Sequence, residues 1–130
     1  MNSKTALRIL LLIVGLTTVF HICILLKIIP YEITWGGRLK TDSEMYAFES
    51  VSLLINLFFG LVLLIKGEFI KALIPMRAVN VILWIFLALF ALNTLGNAIA
   101  KTNFERYFTI VTLLTAILIW IVLKVKNKKS

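Results

Sequence analysis

One cysteine, one histidine, two prolines and six acidic residues are all that this 130-residue chain has of those types. Each scarcity excludes something. The lone Cys23 can form no internal disulfide and no cysteine-based metal site. It reads as a small apolar side chain of the first hydrophobic run. No His-x-x-x-His, Glu-x-x-His or Cys-x-x-Cys spacing occurs, so no metal centre is expected. No glycine-rich phosphate loop occurs either, and no cofactor is implied. Charged residues make up only 15%, against about 25% in an ordinary soluble domain.

What the chain has instead is apolar sequence. Hydrophobic residues account for 61% and the mean hydropathy is +1.01. Four runs carry most of it, roughly Leu7–Ile29, Met45–Lys66, Ala78–Ala100 and Tyr107–Val125. About 20 apolar residues in a helix cross the ~30 Å hydrocarbon core of a bilayer. Segments such as Ile9–Val14 and Ile117–Leu123 are apolar on every side, which suits lipid rather than an amphipathic soluble helix. The expectation is an all-α, four-helix, up-down-up-down transmembrane bundle, a single four-span domain over residues 1–130. Met1–Arg8 and the run after it resemble a signal peptide, but the run is longer than the 7–15 apolar residues typical of one and lacks a small-residue cleavage site. It is read as an uncleaved first span, ended by Pro30.

The net charge of +8 does not point to nucleic acid, because the basic residues lie between and after the spans. Counted by side, nine of them (Lys4, Arg8, Lys66, Lys71, Arg77, Lys124, Lys126, Lys128 and Lys129) stand against one acid, Glu68. On the other side five (Lys27, Arg38, Lys40, Lys101 and Arg106) stand against five acids, Glu32, Asp42, Glu44, Glu49 and Glu105. Cytoplasmic loops carry the Lys/Arg excess, so both termini are expected in the cytoplasm. The tail Lys124–Lys129 forms a basic patch suited to anionic lipid headgroups.

The connections differ in texture. Pro30–Glu44 holds Tyr31, Trp35, Gly36, Gly37 and Arg38, and reads either as an aromatic interface anchor followed by a turn or as a loop that folds back onto the outer mouth of the bundle. The second, Gly67–Arg77, reads as an interfacial segment with Phe69, Ile70, Leu73 and Ile74, stopped by Pro75. The third, Lys101–Arg106, is short enough to make its two helices antiparallel neighbours.

Polar residues within the spans are concentrated. Glu49, Ser52 and Asn56, with Gly60 beyond, form one stripe at 100° per residue. Asn93 and Asn97 share a face, as do Thr17, Thr18 and His21, and Thr109 and Thr112. At 1.5 Å per residue, Glu49 and Asn97 are expected ~5 Å below the outer end, Thr112 ~8 Å, and Asn93 and His21 ~11 to 12 Å, with Asn56 near the midplane. The bland reading is a hydrogen-bond network that sets helix register. The functional reading is an outward-facing polar pocket lined by His21, Glu49, Ser52, Asn56, Asn93 and Asn97, with Trp35 and Arg38 at its mouth. Ionisable groups inside a membrane are functional candidates. Glu49 is expected to lie near a cation, with Arg38 or Arg106 favoured over His21.

Two motifs carry a resemblance. Trp35-Gly36-Gly37-Arg38-Leu39 with Glu44-Met45-Tyr46 and Phe48-Glu49 is one. Leu92-Asn93-Thr94-Leu95-Gly96-Asn97 with Ala100-Lys101 and Phe104-Glu105 is the other. The chain resembles a family of small, uncharacterised four-span bacterial membrane proteins. That resemblance implies an inner-membrane location and no particular activity. The leading expectation is therefore a non-enzymatic membrane protein with a pocket for a small molecule, a lipid-like ligand or an ion. One alternative is a structural or accessory subunit, homo- or hetero-oligomeric, that packs through Gly15, Gly60 or Gly96. Another is a membrane enzyme on a lipid-like substrate with Glu49 and His21 as acid and base.

Overall fold

A computed structural model describes residues 2–31, 39–99 and 103–124, with the side chains of 104 and 105 left aside. Four helices follow one another: α1 (Ser3–Leu25), α2 (Asp42–Lys66), α3 (Met76–Ala98) and α4 (Asn103–Lys124). All four are long and apolar enough to span a membrane. The protein is an all-α, four-helix transmembrane bundle. Each helix packs on the next in sequence, and α4 closes the ring against α1. The short third connection has its expected consequence, since α3 and α4 share the most extensive interface.

The helix ends correct the sequence expectation. α1 stops at Leu25, before Pro30 is reached. Lys27 adopts a left-handed conformation (φ 62°). Its N–H donates to the Ile24 carbonyl and the Ile28 N–H to that of Cys23, both at 2.9 Å. This paired closure satisfies the orphan carbonyls of a helix C-terminus. α2 ends in the same way, with Glu68 at φ 59° and the Glu68 and Phe69 N–H groups bonded back to Ile65 and Leu64 at 3.0 Å. Pro75 caps the start of α3 and does not stop a preceding segment. α2 begins three residues earlier than its apolar run because Thr41 caps it. The Thr41 hydroxyl accepts from the Glu44 N–H (3.1 Å), and the Glu44 carboxylate accepts from the Lys40 N–H (3.1 Å).

The two halves of the bundle differ. At the end that carries the termini, Leu7, Leu10, Phe59, Leu63, Leu83 and Ile119 form a dry core with their neighbours. Gly60 lets α1 come close there, since a Cβ on it would meet Val14 Cγ1 at 3.0 Å. At the opposite end a small cluster of Ile24, Leu39 and Met45 seals the α1–α2 corner. The buried Leu39 pins the end of the first connection to the bundle. Lys27 and Asp42 form an ion pair across the same corner, and this partner raises the Lys27 pKa above its ordinary value. Between the dry core and this corner lies open space.

Candidate functional site

The space is a cavity of about 470 Å³. Ligand sites are typically ~300 to 1,000 Å³. Side chains of all four helices line it, and helical periodicity explains which. On α2, Glu49, Ser52, Asn56 and Phe59 follow one stripe, and on α3 Phe86, Phe90, Asn93 and Asn97 do the same. α1 adds Thr17, Phe20 and His21, and α4 adds Phe108, Thr112 and Thr115. His21, Glu49, Ser52, Asn56, Asn93 and Asn97 thus face one space. Trp35 and Arg38 lie outside the described residues, as do Gly36, Gly37 and the tail beyond Lys124.

The earlier helix ends move the depths. Glu49 stands seven residues into α2, ~10 Å from its start, and His21 four residues from the end of α1, ~6 Å. The two were expected at ~5 and ~12 Å, and the corrected helix ends narrow the gap between them from ~7 to ~4 Å. His21 Nδ1 lies 2.6 Å from Glu49 Oε2. Glu49 is 1% exposed, and the His21 side chain 20%. The two side chains are hydrogen-bonded across the α1–α2 seam. Among the described residues His21 is a partner of Glu49, and Arg38, expected near this carboxyl group, lies outside them. Arg106 is exposed and donates to Asn103 Oδ1 at 3.4 Å.

A second set of bonds joins the same two helices one to two turns deeper. Asn56 accepts from the Thr17 hydroxyl (3.1 Å) and donates to Thr18 Oγ1 (2.8 Å) and the Val14 carbonyl (3.2 Å). Its amide is thereby well satisfied. Ser52 donates to the Phe48 carbonyl of its own helix at 2.9 Å. Across α3–α4, Thr94 donates to Thr112 at 3.0 Å. Thr115, rather than Thr109, joins Thr112 on the cavity wall. The Thr109 hydroxyl is buried without a hydrogen-bond partner among the described residues. Asn93 and Asn97 differ from Asn56: both line the cavity and neither amide is hydrogen-bonded among the described residues. Two amides facing a cavity offer donors and acceptors to something else.

The cavity floor is aromatic. Phe59 stacks in tilted fashion on Phe86 and Phe90, with centroids 4.7 and 5.4 Å apart. Phe20 and Phe108 meet at 5.2 Å across α1 and α4. The sequence reading overlooked these rings. The signal was present as the continuation of the Asn93/Asn97 stripe to Phe90 and Phe86, but a phenylalanine has no contrast within an apolar span. On α2 and α3 the wall therefore passes from polar near the outer helix ends to aromatic deeper in, whereas on α1 and α4 Phe20 and Phe108 stand level with His21 and the threonines lie deeper.

One polar pair lies in the other half. Lys66, counted above as a loop charge, is 3% exposed and donates to Asn80 Oδ1 at 2.6 Å. Among the described residues no group of three or more His, Cys, Asp or Glu could hold a metal ion. Neither a family model, nor a curated protein, nor a solved structure matches the chain.

Proposed function

We propose that this is a small bacterial inner-membrane protein, with both termini in the cytoplasm, that binds a ligand or ion in the outer half of its bundle. The observation that carries the reading is the convergence of polar side chains from four helices on one cavity. A network serving register alone leaves no space and satisfies its own groups. Here Asn93 and Asn97 line the cavity with no hydrogen bond among the described residues, while Glu49 is held buried against His21. The nine-to-five distribution of basic residues supports the orientation.

A purely accessory role would have to use Gly15 or Gly96 rather than Gly60. Gly60 is already used within the chain, against Val14, while Gly15 and Gly96 face open space. A thiol experiment tests the pocket. In a Cys23→Ser background, Ser52→Cys should react with a small charged methanethiosulfonate added on the periplasmic side. An unreactive Ser52→Cys in folded protein would mean a closed, dry network and would end the pocket reading.

A further inference from the structure

The four seams between neighbouring helices are not equally closed at the depth of the cavity. His21–Glu49 and Thr17/Thr18–Asn56 close α1–α2. Phe20–Phe108 closes α1–α4, and Thr94–Thr112 closes α3–α4. The α2–α3 seam is the least extensive of the four. Among the described residues, its ring contacts and side-chain hydrogen bonds are Phe58 and Phe59 with Phe86, Phe59 with Phe90, and Lys66 with Asn80. All lie at the cavity floor or beyond it, toward the termini.

Ile55 of α2, one turn above Phe59, and Leu89 of α3, level with Phe90, both line the cavity and are nevertheless 48% and 46% exposed. A side chain that is both a wall and half-exposed stands at an opening. Ile55 lies ~20 Å from the start of α2 and Leu89 ~13 Å from the end of α3. Both positions are well inside the apolar spans, where the surroundings are acyl chains rather than water. We propose that the cavity opens sideways between α2 and α3, and that its occupant is a single-chain amphiphile of the surrounding leaflet. This rests on the pocket reading above and names its ligand class.

The chemistry of the walls fits that occupant. An amphiphile in a leaflet has its polar head toward the interface and its tail toward the midplane, and the α2 and α3 walls that flank the opening are graded in the same sense. The head would meet the amides of Asn93 and Asn97. The chain would lie against Phe59, Phe86 and Phe90. A water-soluble solute gains nothing from an opening at this depth, because it would first have to cross hydrocarbon.

The test uses the full chain in phosphatidylcholine–phosphatidylglycerol vesicles that contain a lysophosphatidylcholine with a diazirine on its acyl chain. After irradiation, the adducts are mapped by peptide mass spectrometry. Adducts are expected on the cavity rings Phe59, Phe86 and Phe90, beyond the outward-facing background. They should be lost in Ile55→Trp/Leu89→Trp, which fills the gap. Since two tryptophans can disturb the bundle, a second variant in the Cys23→Ser background, Ile55→Cys/Leu89→Cys, is stapled with a bifunctional methanethiosulfonate. Cavity adducts should vanish on stapling and return on reduction. Cavity adducts that persist through stapling would refute lateral access. No cavity adducts, with Ser52→Cys still reactive toward the charged thiol reagent, would remove the amphiphile and leave the pocket. Loss of both would remove the pocket itself.

Discussion

His21 Nδ1 and Glu49 Oε2 meet at 2.6 Å across α1 and α2, with the carboxylate almost wholly buried. Removing one member of a buried pair strands the other, at a cost of about 3 to 5 kcal/mol. Replacing both with neutral groups of similar size avoids that penalty. Glu49→Gln and His21→Gln should each lower the thermal midpoint in detergent. The double variant should lose less than the sum of the two. Strict additivity in this cycle would show that the pair is not energetically coupled.

Asn56 ties three α1 groups to α2 through Thr17, Thr18 and the Val14 carbonyl. Interhelical hydrogen bonds within membranes average about 0.6 kcal/mol and reach ~1.7. Asn56→Leu should therefore destabilise by about 1 to 2 kcal/mol, and Thr18→Val by less, because Asn56 retains its other partners. Unfolding in mixed detergent measures both. An effect of Thr18→Val equal to that of Asn56→Leu would contradict the branched arrangement.

The glycines give opposite signs. Alanine is favoured over glycine in a helix by about 1 kcal/mol. Gly15→Ala and Gly96→Ala meet nothing within 4 Å and should be neutral or mildly stabilising in the isolated protein. Gly60→Ala places its methyl 3.0 Å from Val14 Cγ1, so α1 must shift, and the variant should be destabilised. A drop in midpoint for Gly15→Ala would instead indicate a partner on that open face.

How far these features could be read from the sequence depended on contrast. Four spans were legible because length and hydropathy are decided over some 20 residues at once. The polar stripes were legible because Glu49, Ser52 and Asn56, or Asn93 and Asn97, stand out in apolar surroundings. The helix ends were not, since Lys27 and Glu68 take a left-handed conformation that usually signals itself with glycine. That misplaced His21 against Glu49 by several ångströms and hid their contact. One signal was present and went unread: Thr41-Asp42-Ser43-Glu44 carries the threonine-to-glutamate spacing of a helix start. The aromatic floor was hidden, as nothing distinguishes Phe59 or Phe86 from the phenylalanines that face lipid.

The proposed orientation has its own measurement. A reporter active only in the periplasm should be silent when fused after Ser130. The same reporter inserted in the first connection should be active. Activity at the C-terminus would invert the bundle and put the cavity in the inner leaflet, without altering the cavity itself.

Lys66 offers the sharpest contrast between two substitutions on one contact. It is buried at the end of α2, and its ammonium donates to Asn80 Oδ1 at 2.6 Å. Asn80→Leu removes the acceptor and leaves the lysine unsatisfied. A buried group stranded in this way costs about 1 to 3 kcal/mol, and more when it is charged. Lys66→Met removes the charge and keeps the length of the side chain, leaving only a neutral amide that lies partly exposed. Asn80→Leu should thus be the more destabilising, and adding Lys66→Met to it should recover much of the loss. If Asn80→Leu is harmless, Lys66 reaches the lipid headgroups by extending toward the interface, and the contact with Asn80 does not hold it in the bundle. If Lys66→Met alone is as damaging as Asn80→Leu, the ammonium itself is needed at that end of the bundle.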